Sequence, residues 1–353
     1  MTTRHHKGRG AVSDREGRFT VRAVEFEPQE ADHRGQGSPE TVVRSMRTGR
    51  IIATNNSPDV PFDRSINPYQ GCEHGCVYCY ARPSHSYLDL SPGLDFETKI
   101  FYKPDAAASL AAEWEKPGYV CEPITIGANT DPYQPAERST KITRELLELF
   151  DKHSHPVSLI TKSNLIVRDL DIFERLADRN LCSVAISIPT MDASLKRILE
   201  PRIPSASARL AAITELARVG VPVSVLLAPV IPALNDGEIE SILEASSKSG
   251  ATQAAYIFLR LPHEVKDLFV EWLEIHYPDR ANHVMSLIRQ ASGGKDYDHR
   301  FGIRQTGRGP YADMLGKRFH AACAKFDLDQ GRYQQSLDCG RFDPPGQKQL
   351  GLF

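Results

Sequence analysis

The stretch that decides how this chain reads is Asn67-Pro68-Tyr69-Gln70-Gly71-Cys72-Glu73-His74-Gly75-Cys76-Val77-Tyr78-Cys79-Tyr80-Ala81-Arg82. Three of the seven cysteines fall inside it, spaced C-x3-C-x2-C. Thiolates are soft ligands, and three so close in sequence can converge on one metal centre. A structural zinc site normally takes four ligands. A four-iron cluster can be held by three, which leaves one iron open to a group that is not protein. S-adenosylmethionine can chelate such an iron through its amino and carboxylate groups, with its sulfonium placed for one-electron cleavage of a C–S bond.

The neighbouring residues suit such a loop. Gly71 and Gly75 allow tight turns around a bulky centre, and Tyr78 offers an aromatic face for an adenine. The pattern C-x3-C-x-aromatic-C resembles the signature of the radical S-adenosylmethionine superfamily. That resemblance implies a [4Fe-4S] cluster on Cys72, Cys76 and Cys79, with S-adenosylmethionine as cofactor. Two alternatives stay open on the residues alone: a zinc knuckle with His74 or His85 as fourth ligand, or three unrelated thiols.

Outward from the loop, 353 residues suit one α/β barrel with extensions. Charged residues make up 25% and hydrophobic ones 41%, ordinary for a soluble globular protein. No apolar run is long enough to span a membrane, and the N-terminus lacks the apolar core of a signal peptide. An odd cysteine count with three clustered predicts a reducing cytoplasm rather than a disulfide framework. A net charge of −2 gives no global basic field for nucleic acid. Local basic runs, Arg4 to Arg9 and Arg44 to Arg50, either touch phosphates or are solvated tail.

Residues 1–60 are poor in apolar positions and predict a flexible, disordered N-terminal extension. From Ser65 the pattern alternates. Strands are expected at Ser65–Gln70, Pro123–Gly127, Val157–Thr161, Cys182–Ser187, Pro222–Leu227 and Gln253–Leu259. Helices are expected near Glu137–Lys152, Asp169–Asp178, Ala193–Leu199, Ser205–Val219, Asp236–Ser247 and Glu264–His276. Alternating strands and helices imply a parallel sheet with right-handed crossovers. The expected fold is α/β, a partial (β/α)6 barrel over 61–277 with a lateral mouth. A helical extension follows over 278–330, with helices at Asn282–Gln290 and Tyr311–Phe326, and a mobile tail over 331–353.

Chemistry in parallel α/β barrels sits at the carboxyl ends of the strands. After Cys72–Cys79 the next ends carry Ala128-Asn129-Thr130-Asp131-Pro132-Tyr133, then Thr161-Lys162-Ser163, then Ser187. Polar groups on successive ends suit one bound zwitterion. Each also has a plainer reading, as a turn cap, a solvated lysine or a satisfied core hydroxyl. These strings look like those of spore photoproduct lyase and its photolyase-like relatives in DNA repair. The likeness implies that Thr130, Asp131, Lys162 and Ser187 contact S-adenosylmethionine, and that Tyr80 belongs to a hydrogen-atom relay. One departure matters. The family carries a hydrogen-donor cysteine three residues before the aspartate, and here that position is Ala128. Cys121 is expected at the other end of its strand, and Cys182 as a buried apolar residue.

Glu200-Pro201-Arg202 and Arg209 either grip a phosphate or cofactor, or form caps and salt bridges. The run Gly293 to Arg308 interleaves aromatics with Arg, Lys and Gly, which suits contact with nucleic acid or a loop closing the barrel. The chain ends Gln349-Leu350-Gly351-Leu352-Phe353, which resembles the peptide with which bacterial repair proteins dock on the sliding clamp. The expectation is a cytoplasmic radical enzyme acting on a nucleic-acid-related substrate such as DNA, fed electrons by a flavodoxin or ferredoxin. The other classes are the same chemistry on RNA or a small metabolite, and a non-enzymatic zinc-stabilised clamp adaptor. Deleting Leu350–Phe353 is expected to abolish capture by immobilised sliding clamp while 5′-deoxyadenosine formation continues; undiminished capture would refute the docking peptide.

Overall fold

The computed structural model describes residues 8–19, 39–328 and 337–346. The docking peptide at 349–353 lies outside them. Ten strands form: β1 (Val42–Ser45), β2 (Ala53–Thr54), β3 (Arg64–Ile66), β4 (Tyr69–Gln70), β5 (Lys99–Tyr102), β6 (Ile124–Ile126), β7 (Val157–Thr161), β8 (Cys182–Ser187), β9 (Val223–Val230) and β10 (Gln253–Phe258). The helices are α1 (Leu94–Thr98), α2 (Ala106–Trp114), α3 (Glu137–Thr140), α4 (Ile142–Lys152), α5 (Leu170–Ala177), α6 (Ala193–Leu199), α7 (Ala206–Arg218), α8 (Ile239–Lys248), α9 (Glu264–His276), α10 (Pro278–Ala291) and α11 (Pro310–Lys325).

The main sheet has the order β10-β9-β8-β7-β6-β3-β2. Its pairs from β3 to β10 are parallel and only β2 runs antiparallel, so six parallel strands build the partial barrel. Alternation along each strand decides the faces. Val157 and Leu159 of β7 are buried toward the helices. Leu146, Leu147 and Phe150 of α4 are fully buried, and each contributes about 1.5–3 kcal/mol. The other strand face carries hydroxyls: Thr125 and Ser158 are hydrogen-bonded at 2.6 Å, and Ser224 donates to Gln253 at 2.9 Å. Thr125, Ser158 and Ser224 line the lower lumen, a cavity of about 440 Å³ that also borders Phe62, Glu122, Ser183 and Cys339.

Three departures from the sequence reading have clear physical causes. The single helix expected over 137–152 is broken at Lys141, whose φ is 56°. The buried Glu137 carboxylate accepts Thr143 N–H at 3.1 Å and so caps the new helix start. The expected strand Ser65–Gln70 divides into β3 and β4, and β4 joins a second sheet of order β1-β5-β4. Where composition predicts an extension without fixed structure, residues 9–12 are buried against the cysteine loop. Gly10 and Ala11 donate N–H to the Glu97 carboxylate at 3.0 and 2.8 Å, and Arg82 pairs with the same group. A Cβ on Gly10 would lie 1.8 Å from the Gly75 carbonyl oxygen, so only glycine fits there.

The lateral gap of the barrel is bridged. Gln305 accepts the Phe258 N–H of β10 at 2.7 Å. Asp59, in the β2–β3 hairpin on the opposite edge, accepts Gly302 N–H at 2.6 Å and pairs with Arg304. The Gly293–Arg308 run therefore includes a strap that joins the two sheet edges, and the way in is left to the strand ends. Below, residues 337–343 return under the barrel, with Asp338 and Asp343 donating N–H to Asn180 and His153 at 3.0 and 2.9 Å. No helix among the described residues is long and apolar enough to cross a membrane.

Burial pulls the imidazoles of His85 and His155 down to about 4, against about 6.5 in an unfolded chain. Unfolding then takes up protons below pH 6.5, so the stability these residues contribute above that pH is lost as pH falls toward 4. The urea midpoint should drop between pH 7 and 4.5, less so in His155→Gln; a flat profile would contradict the burial.

Candidate active site

The cysteine loop leaves β4 and turns through Gly71 and Gly75, whose φ values are +81° and +68°. Cys72 N–H donates to Phe96 O at 2.9 Å, and Cys79 N–H donates to Cys76 O at 3.2 Å. Cys72 and Cys76 are buried and Cys79 nearly so. Burial drives the Cys76 thiol well above its ordinary value, with Glu200 and the other two cysteines adding to the rise. Cys79 is pushed up to about 11 by burial and then by Cys72. Cys76 and Cys79, each raised by burial and by neighbouring cysteines, are donors that a cationic centre would relieve.

Among the described residues no three His, Cys, Asp or Glu side chains are placed to hold one metal ion. Of the two histidines considered as a fourth zinc ligand, His74 borders the Cys72 thiol as well as Asp131. His85 Nε2 is 3.0 Å from Lys99 O. His74 Nδ1 is 3.3 Å from the Asp131 carboxylate.

The loop after β6 clasps the cysteine loop. Thr130 donates to Tyr69 O at 2.8 Å. Gln134 donates to Gly71 O at 3.2 Å and accepts Glu73 N–H at 3.0 Å. Asp131 is nearly buried. One carboxylate oxygen accepts Thr161 Oγ1–H at 2.6 Å and Tyr133 N–H at 2.9 Å. The other accepts Lys162 N–H at 2.8 Å and faces His74. Burial alone would raise the Asp131 pKa, but His74 and these donors hold it below the usual carboxylate range. All four acceptor directions of the carboxylate are thus used within the protein.

Lys162, one residue past β7, donates from Nζ to Ser187 Oγ at 2.5 Å and to Ala228 O at 3.2 Å. The ammonium lies 3.9 Å from Glu200 and 5.9 Å from the centre of the Tyr78 ring. Glu200 accepts the Tyr78 hydroxyl and pairs with Arg209 at 3.0 Å; both charged groups are fully buried. The salt-bridge reading of Glu200 and Arg209 is therefore what the structure contains. Tyr80 donates its hydroxyl to Ala128 O and is 44% exposed, under the Arg260 guanidinium.

All nine residues singled out from the sequence, Cys72, Cys76, Tyr78, Cys79, Tyr80, Thr130, Asp131, Lys162 and Ser187, lie at the carboxyl end of the sheet. Gln134, Arg82, Glu97 and the segment from Arg9 to Val12 were not anticipated. Their partners are up to 88 residues away in sequence, and no local period announces them. Cys121 lies apart, at the start of the stretch leading into β6 beside the Cys339 thiol. Cys182 is buried on β8.

A family model described as the Radical SAM superfamily matches residues 66–245. An uncharacterised protein of Mycobacterium tuberculosis is 34% identical over 280 residues, covering 77% of each chain. An uncharacterised protein of Methanocaldococcus jannaschii is 29% identical over 214 residues, covering 61% of this chain and 76% of that one. Among solved structures, a spore photoproduct lyase mutant superposes with a TM-score of 0.59 at 18% identity, over 88% of this chain and 86% of that one. A spore photoproduct lyase complexed with dinucleoside spore photoproduct gives 0.59 at 16% identity, over 80% and 79%. At these identities the likeness is one of fold.

Glu200→Ala strands the buried Arg209 and should cost about 3–5 kcal/mol in urea unfolding, while Glu200→Gln, which keeps hydrogen bonds, should cost clearly less. Equal losses for the two variants would show that the charge, and not the hydrogen bonds, is what Arg209 requires; a loss under about 1 kcal/mol in Glu200→Ala would contradict the buried pair.

Proposed function

We propose that this chain, which belongs to the radical SAM superfamily, uses the carboxyl end of its sheet to act on a nucleic-acid-related substrate. Cys72, Cys76 and Cys79 would hold a [4Fe-4S] cluster, and Tyr78, Thr130, Asp131, Lys162 and Ser187 would hold S-adenosylmethionine. When bound, cluster and cofactor supply a 5′-deoxyadenosyl radical by one-electron cleavage. The observation that carries this reading is that the cysteine loop meets the Lys162–Ser187 pair at the end of one parallel sheet, with Cys76 close enough to feel Lys162, Cys72 and Cys79.

The chain's own residues have distinct tasks in this reading. Lys162 offers a cation to a carboxylate, and Glu200 with Ser187 and Ala228 O holds that cation in place. Asp131 acts mainly through His74 and Thr161, locking the cysteine loop to β7; its cofactor contact would need one of those bonds to yield. Tyr80, beside the cysteine loop and open to solvent at the mouth, would serve in the hydrogen-atom relay. The methyl group of Ala128 cannot donate a hydrogen atom in place of a thiol, so repair by the family's thiol route is not expected here. The strap over 302–305 closes the side of the barrel, and the returning segment 337–343 crosses beneath it.

A nucleic-acid substrate is supported by the likeness to a lyase solved with a dinucleoside lesion and by the tail resembling a clamp-docking peptide. Electrons would come from a flavodoxin- or ferredoxin-type partner. The test is anaerobic purification and assay. Wild-type protein should be brown and form 5′-deoxyadenosine on reduction, and Cys76→Ala should lose both colour and product. Retained cleavage in Cys76→Ala would mean the ligands are misassigned.

A further inference from the structure

Several cations around the cysteine loop have acid partners, while Arg9 spends its fork on Glu97 O, Pro39 O and Thr41. Arg82 pairs with Glu97, Arg202 lies 3.4 Å from Glu73, Lys162 is near Glu200, and Arg209 is bound to Glu200. Arg260 differs. It follows β10 by two residues and has no carboxylate partner among the described residues. Its Nη2 reaches the Tyr297 hydroxyl at a long 3.4 Å, and its Nε is buried with no acceptor. A guanidinium offers five donors in a planar fork, and a buried donor left without an acceptor is destabilising. Of the fork, only Nη2 has a hydrogen bond among the described residues, so its outer donors remain for an arriving anion.

The place matters as much as the charge. Tyr80 follows Cys79 directly, and its hydroxyl reaches Ala128 O, just beyond β6. Arg260 comes from β10, the far edge of the sheet, and its guanidinium carbon lies 5.1 Å from the centre of the Tyr80 ring. The two residues therefore meet across the mouth of the barrel, with much of Tyr80 open to solvent. An exposed aromatic beside a guanidinium without an acid is the combination that holds an unstacked nucleotide. The base lies on the ring and the phosphate takes the planar fork.

We propose that Arg260 and Tyr80 form a nucleotide clasp at the mouth, in which Arg260 binds a phosphodiester of the substrate strand and an unpaired base stacks on Tyr80. This rests on the nucleic-acid reading of the function. It adds that the target nucleotide is single-stranded or extruded, because a stacked base in a duplex cannot reach a ring set beside the cysteine loop.

The test uses the anaerobically reconstituted full-length protein and fluorescence anisotropy across a salt series. The probes are a labelled single-stranded DNA 12-mer, its RNA counterpart and the matching DNA duplex. Wild type should bind a single strand more tightly than the duplex, and the tighter of DNA and RNA identifies the source of the phosphodiester. Arg260→Gln should weaken binding about tenfold whatever the sequence, and flatten the slope of log K against log salt by about 0.7, one phosphate contact on a single strand. Arg260→Lys should keep the slope. Tyr80→Leu should weaken binding about tenfold without changing it. Iron content and melting temperature of each variant report on folding. Failure of wild type to bind any strand would overturn the nucleic-acid reading and the clasp with it. Strand binding that is unaffected in Arg260→Gln, or a preference for duplex, would overturn the clasp alone.

Discussion

The site depends on one buried carboxylate. Asp131 joins three pieces of chain that are distant in sequence: the cysteine loop through His74, the end of β7 through Thr161 and Lys162, and its own turn through Tyr133. A carboxylate deprived of water is stable only when its lone pairs are taken up by donors, and here they are. The thiols are therefore held at a set height above the sheet, and Lys162 is aimed across it at Ser187.

Two further buried charges surround that centre, and both are compensated. Glu97 takes Arg82 and the backbone of Gly10 and Ala11, which draws the N-terminal segment over the cysteine loop. Glu200 takes Arg209 and the Tyr78 hydroxyl and steadies Lys162 from below. Buried ion pairs add little net stability when compared with apolar packing, but removing one partner is costly. Their use around a pocket of thiols is consistent with geometry, rather than stability, being what these residues supply.

Much of this was legible in the sequence, for reasons that can be named. Short apolar runs bounded by Gly and Pro marked the parallel strands. Parallel strands align their carboxyl ends, which is why residues as far apart as Cys72, Asp131, Lys162 and Ser187 belong to one rim on the sequence pattern alone. The register then put Lys162 beside Ser187, with Thr161 opposite Ile186. What escaped was whatever depends on single long-range polar contacts. The docking of residues 9–12 turns on Glu97, the strap on Asp59, and the break at Lys141 on the cap that Glu137 provides. None of these leaves a period in the sequence. The return of residues 337–343 was hidden for another reason: its prolines read as a mobile tail, while Phe342 in fact packs 4.9 Å from the His155 ring and 5.5 Å from Trp114.

The central claim is that three thiols carry a cluster with one iron left for the cofactor. The most direct measurement is metal analysis of oxygen-free protein combined with electron paramagnetic resonance of the dithionite-reduced sample, with and without S-adenosylmethionine. The account predicts about four irons per chain and a signal whose shape changes when the cofactor is added. Zinc in place of iron, or an iron signal indifferent to S-adenosylmethionine, would contradict it.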